Sequence, residues 1–99
     1  MIFVFHLTDK PDSAHIRNSV RPEHKAYLGQ QAERMAFAGP LTSDDGTAMI
    51  GSLLAIDFPD RAAAQSWLAN EPFTKAGLYA EVKIHAFNNL WPQKVGFPA

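Results

Sequence analysis

No cysteine occurs among the 99 residues. That excludes disulfides, thiolate metal sites, iron–sulfur clusters and cysteine nucleophiles. A charge excess is missing as well: 9 Lys and Arg face 10 Asp and Glu, a net charge of −1 with neutral His. Without basic blocks the chain lacks the electrostatic footprint of a nucleic-acid or anionic-membrane binder. Long apolar runs are absent, and the longest stretches fall far short of the roughly 20 residues that span a bilayer. The apolar opening Met1 to Leu7 has no basic n-region and no cleavage site. It reads as a strand, which makes the cytoplasm the expected location. What remains is an ordinary globular balance, 46% hydrophobic and 19% charged, in one domain over residues 1–99. Any chemistry falls to imidazole, carboxylate and hydroxyl groups.

Met1 to Thr8 is rich in β-branched and aromatic residues and is apolar on both faces apart from His6, so the spacing predicts a central strand. Asp9 to Asp12 forms a turn, and Ser13 offers an N-cap oxygen to a helical segment from about Ala14 to Phe37 that contains Pro22. Pro22 either kinks this helix or starts a second one; in both cases Glu23 to Ala36 is expected to be helical. Phe37 to Leu41 is a short strand that Gly39-Pro40 confines to an edge or a bulge. An Asp45-Gly46 turn leads to a doubly apolar strand from Met49 to Phe58. Asp60 caps a helix over Arg61 to Ala69, with Ala63, Ala64, Trp67 and Leu68 on its buried stripe. Asn70 to Phe73 breaks that helix. A further helical turn ends at Gly77, and the last strand runs from Tyr79 to Phe87 with one apolar and one polar face.

The order β-α-β-β-α-β, with doubly apolar strands first and third, is the α+β ferredoxin-like arrangement with an antiparallel sheet. Two helices cover only one sheet face. The other face also carries large apolar groups on its central strands, which predicts a homodimer closing face to face. The core spans residues 1–88. The apolar tail, residues 89–99, is expected to pack on its own or the partner subunit.

His24 stands at the border of a buried helical stripe, where it can serve as general acid or base with little tuning. The plainer reading is a half-buried histidine bonded to a backbone carbonyl. Glu71, in the loop before Pro72, could fix the imidazole tautomer, or simply be a solvated loop carboxylate. His6, His15 and His85 show no metal-ligand spacing with His24, so no metal is expected. Ser52 lies on a central strand without a nucleophile elbow. Gly39 and Gly51 shape the backbone, and no phosphate loop or other cofactor motif is present.

The marks Arg21-x-x-His24-x-x-x-Leu28, Ala38-Gly39-Pro40-Leu41, Asp45-Gly46, Gly51-Ser52 and Glu71-Pro72-Phe73-Thr74-Lys75-Ala76-Gly77-Leu78-Tyr79 resemble the YCII-related (YciI-like) proteins in order and spacing, over about Met1 to Asn88. The resemblance implies a dimeric α+β barrel and a pocket with a His and an acidic residue. It also implies kinship with a dehydrochlorinase of a hydroxylated aromatic. By position the family's histidine falls on His24. Its acid, usually Asp before Pro, falls on Glu71, one methylene longer; Asp45 is the reserve acid.

The expectation is a small cofactor-independent enzyme of isomerase, lyase or dehydrochlorinase type. His24 and Glu71 would be catalytic. Ser52, Gly39, Pro40, Phe73 and Asp45 would hold a small aromatic or lactone metabolite in a largely apolar pocket. The alternatives are a dimer that binds or senses a metabolite without turnover, and, by fold analogy alone, a cofactor-free monooxygenase.

Overall fold

The structure is a computed structural model and describes residues 1–91. The expected packing of the tail falls largely on residues 92–99, outside the described residues.

Four strands form one antiparallel sheet: β1 (Ile2–Asp9), β2 (Met35–Thr42), β3 (Met49–Asp57) and β4 (Tyr79–Phe87), in the order β2-β3-β1-β4. The helices are α1 (Ala14–Gly29), α2 (Arg61–Ala69) and the short α3 (Pro72–Lys75). The two doubly apolar strands, β1 and β3, are central, and β2, which carries Pro40, is an edge, where a missing ladder N–H is tolerated. The architecture is the α+β βαββαβ fold expected from the pattern.

Register explains which side chains are buried. Phe5 pairs with Leu54 on one side and Ile84 on the other; Phe3 pairs with Ile56 and Ala86. Directly opposed residues point to the same sheet face, so these side chains form the floor on which the helices pack. Phe3, Phe5, Leu7, Leu54 and Ile56 are buried there with Phe58, Ala64, Trp67 and Leu68. Phe5, Phe58 and Trp67 meet edge-on or tilted at 5.5–6.1 Å between centroids, the spacing aromatic quadrupoles favour. The opposite face presents Val4, His6, Leu53 and Phe37, none of them buried. Gly51 is a buried strand residue for a steric reason: a Cβ there would lie 2.2 Å from the Leu7 carbonyl oxygen.

Two local expectations are corrected, and one open alternative is decided. The first helix ends at Gly29, and only a single 3₁₀ turn, Ala32–Arg34, follows before β2 starts at Met35. Pairing of Met35 and Phe37 with Ile56 and Ala55 recruits residues that helical periodicity had claimed. Pro22 lies inside α1 and starts no second helix; it sits on an exposed side, where water can satisfy the carbonyl its missing N–H leaves free. Ser13 does not cap α1 with its side chain, since its hydroxyl donates to the Pro11 carbonyl at 3.2 Å. By contrast, Asp60 caps α2 by accepting from the Ala63 N–H at 2.8 Å. No helix among the described residues is long and apolar enough to cross a membrane.

Candidate active site

The break between α2 and α3 places a carboxylate inside the protein. Glu71 precedes Pro72, whose fixed φ suits the first position of a helix. Glu71 is its N-cap, and Oε2 accepts from the Thr74 N–H at 3.2 Å. The same oxygen accepts from the Tyr79 hydroxyl at 3.3 Å, and Oε1 accepts from Nδ1 of His24. Glu71 is thus fully buried with three donors on its two oxygens, which a buried carboxylate needs.

The donors have physical reasons to stay donors. Burial, and next the Glu71 charge, push the Tyr79 phenol far above its ordinary value of 10.0, so it keeps its proton. Burial followed by the Glu71 charge also raises Tyr27, whose hydroxyl donates to the Trp67 carbonyl at 2.7 Å. A carboxylate on Nδ1 selects the tautomer with the proton on that nitrogen. In the neutral ring that tautomer leaves Nε2 without a proton, and His24 lines a cavity.

That cavity, of about 160 Å³, lies between α1, α3 and the β2–β3 side of the sheet. Five residues expected there do line it: His24, Gly39, Pro40, Ser52 and Phe73. Phe73 is fully buried and stacks under the imidazole, with centroids 3.9 Å apart and planes at 15°. Asp45 is placed elsewhere. In the β2–β3 turn its carboxylate accepts from Ser43, the Thr47 N–H and the Thr47 hydroxyl, and these bonds, the Ser43 one foremost, hold its pKa down at about 2. The acid on His24 is therefore Glu71, and the longer side chain reaches the imidazole directly.

Sequence reasoning missed Arg17 and Tyr79. Arg17 is a buried guanidinium on the cavity wall. Nε and Nη2 form a two-point pair with Asp9 at 2.8 and 2.9 Å. Nη2 also donates to the Gly51 carbonyl at 3.0 Å and to the Ser52 hydroxyl at 3.1 Å. Its charge rests 5.0 Å from the Phe73 ring centroid, a favourable cation–π distance. The available signal was helical spacing: Arg17, Arg21, His24 and Leu28 recur on one face of α1. Among the described residues no group of three potential metal ligands converges, and His6 pairs with Lys83, not with His85.

The YCII-related domain family matches residues 1–88. The chain is a member of that family. It is 35% identical over 98 residues to the protein YciI of Escherichia coli O6:H1, covering 92% of this chain and all of that one. It is 34% identical, with the same coverage, to an uncharacterized protein of Haemophilus influenzae. Among solved structures it superimposes with a TM-score of 0.83, at 30% identity and covering 89% and 94% of the two chains, on 5-chloro-2-hydroxyhydroquinone dehydrochlorinase (TftG) from Burkholderia phenoliruptrix AC1100, solved in complex with 2,5-dihydroxybenzoquinone. The ring bound in that structure is a single substituted six-membered one.

Proposed function

We propose that this chain is a cofactor-independent enzyme that moves a proton on a small hydroxylated ring, with isomerase, lyase or dehydrochlorinase chemistry. His24 is the general base and then acid at Nε2, and Glu71 holds its tautomer and orientation. The observation that carries this reading is the buried Glu71 carboxylate on His24 Nδ1, at the wall of a cavity of about 160 Å³. A dry apolar cavity of about 150 Å³ takes one benzene molecule, so the size suits one six-membered ring. The similarity to a dehydrochlorinase bound to such a ring supports the same reading.

On a chlorinated hydroxy-arene the imidazole would carry a proton from a ring hydroxyl to the carbon bearing chlorine. Chloride then leaves with its bonding pair and a second hydroxyl gives up its proton. The ring becomes a quinone, HCl is lost overall, and no oxidant is needed. Ser52, Gly39, Pro40 and Phe73 shape the cavity around the ring.

The working unit in this reading is a homodimer. The sheet face away from the helices leaves Phe37 and Phe87 at 37% and 44% exposure, and a second copy would cover it as part of a dimeric barrel. Leu53→Asp is the control, expected to give monomers by light scattering.

The test is chloride release from 5-chloro-2-hydroxyhydroquinone, extended to other hydroxylated aromatics and lactones. His24→Ala is expected to lower turnover by roughly 10²-fold or more, the usual contribution of a positioned acid or base. Unchanged turnover in this variant removes His24 from the mechanism. Binding without turnover by the native protein makes the site a receptor and not a catalyst.

A further inference from the structure

The cavity wall is more basic than the reaction alone requires. Four of its lining residues are Arg17, Arg21, His24 and Lys25, and none of the lining residues is acidic. Two of these four have carboxylate partners behind the wall: Arg17 has Asp9, and His24 has Glu71. Arg21 and Lys25 have none; among the described residues neither forms an ion pair. They are exposed at the cavity and sit four residues apart on α1. Like charges at that spacing repel and weaken a helix. The chain therefore keeps two uncompensated positive charges side by side at the cavity, on a protein whose net charge is −1.

Apart from Ser52 the rest of the wall is apolar or aromatic, including Leu28, Leu54 and Phe73. An apolar slot with cations at one side recognises a flat ring carrying one negative group. The ring fills the slot, and the charge lies against the guanidinium and ammonium of α1, which together offer a planar fork and a point charge. Both cations are exposed, so this attraction is screened by salt.

We infer that Arg21 and Lys25 select an aromatic monoanion, either a carboxylate or an ionised phenol, as the ligand of this cavity. The inference rests on the reading of the cavity as a ring-binding site, and it names the charge state in which the ring arrives. For the chemistry above the phenolate case has a use: an ionised ring hydroxyl has already given up its proton, so the oxygen electron pair that pushes out a leaving group is present on arrival.

The test is direct binding, by calorimetry or by NMR chemical-shift perturbation at pH 8.5, of benzoate, 4-nitrophenolate and the neutral isostere benzamide. At least one anion is expected to bind about tenfold or more tightly than benzamide, and the tighter of the two identifies the acid class. The double variant Arg21→Gln with Lys25→Gln is expected to weaken the anion about tenfold and to leave benzamide unchanged. Both side chains are exposed, so the variant keeps the fold, which circular dichroism checks. Raising salt from 20 to 500 mM should weaken the anion alone. Equal affinity for benzamide and both anions, binding of none of the three probes, or a double variant that binds anions as tightly as the native protein each overturns the inference. No turnover is measured, so failure of the dehydrochlorination assay and failure of anion selection are read separately.

Discussion

The imidazole of His24 lies on the ring of Phe73, centroids 3.9 Å apart and planes at 15°. Stacking fixes the plane of the imidazole, and the Glu71 hydrogen bond fixes its rotation within that plane. Neither contact alone would hold the ring in both respects at the cavity that His24 lines.

Replacing Phe73 separates packing from aim. Phe73→Ala empties a fully buried site and is expected to cost about 3–5 kcal/mol of stability. Phe73→Leu keeps most of the volume and should cost under about 1.5 kcal/mol, while removing the flat surface beneath His24. Its kcat is expected to fall at least tenfold, because small misplacements of a catalytic group cost up to about 10²-fold. Thermal unfolding and turnover, measured together, check this. A Phe73→Leu protein with native kcat would show that the stack is packing only.

Glu71→Gln tests whether the buried charge serves function or stability. Glutamine keeps the shape but replaces one accepting oxygen with an NH₂ group, which then faces a donor and costs about 1–3 kcal/mol. The variant is therefore expected to melt several degrees lower yet stay folded at 25 °C, while turnover drops roughly 10²-fold. A second readout needs no substrate. In the native protein ¹⁵N shifts of His24 should show the proton on Nδ1 in the neutral ring, the state a carboxylate there selects. A neutral ring protonated at Nε2 would remove Nε2 as the base.

Most of the fold and part of the site were legible in the residues. Apolar residues on both faces of β1 and β3 marked them as central, since only a strand covered on both sides needs two apolar faces. His24 and Glu71 were legible because each is a titratable group beside an apolar stripe or a helix break. Residues 32–36 were not, because their helical spacing competes with a strand pairing, to Ile56 and Ala55, that is set by tertiary contact. Arg17 was hidden for a similar reason. Helical spacing puts it on the face of His24, but its partners Asp9, Gly51 and Ser52 come from two other strands, and no local pattern shows that the guanidinium is buried. Asp45 looked like a spare acid by residue type, but its neighbours Ser43 and Thr47 consume its lone pairs within the turn.

Tyr79 makes stability depend on alkaline pH. Its folded pKa is raised above the ordinary 10.0, by burial first and the Glu71 charge second. Below about pH 10 the phenol is protonated in both folded and unfolded chains, and its contribution is fully present. Above that value the unfolded chain releases the proton while the folded one holds it, so stability falls as pH rises. Tyr79→Phe lacks this group. The stability difference between native protein and variant is expected to be constant from pH 7 to 9 and to shrink in favour of the variant from pH 10 to 11, in urea titrations at each pH. A difference that stays flat to pH 11 would mean the phenol is not held neutral by its surroundings.

Arg17 and Asp9 are expected to behave as a unit. Both side chains are nearly buried, at 7% and 8% exposure, and each neutralises the other. Arg17→Met leaves Asp9 charged without its partner, and Asp9→Leu leaves the guanidinium so. Each single change should cost about 3–5 kcal/mol, the usual result of stranding one buried charge. In a domain of this size that lowers the melting temperature by roughly 10 °C or more. The double variant strands no charge. It is expected to be no less stable than the worse single variant, giving a coupling of about 2 kcal/mol or more across the double-mutant cycle. Simple additivity of the two losses would show that the pair is not coupled. Because Arg17 also donates to Ser52 and lies against Phe73, the double variant should widen the cavity wall even where stability recovers. Ring binding should then weaken in a protein that is otherwise folded, which separates the role of Arg17 in shaping the site from its part in the ion pair.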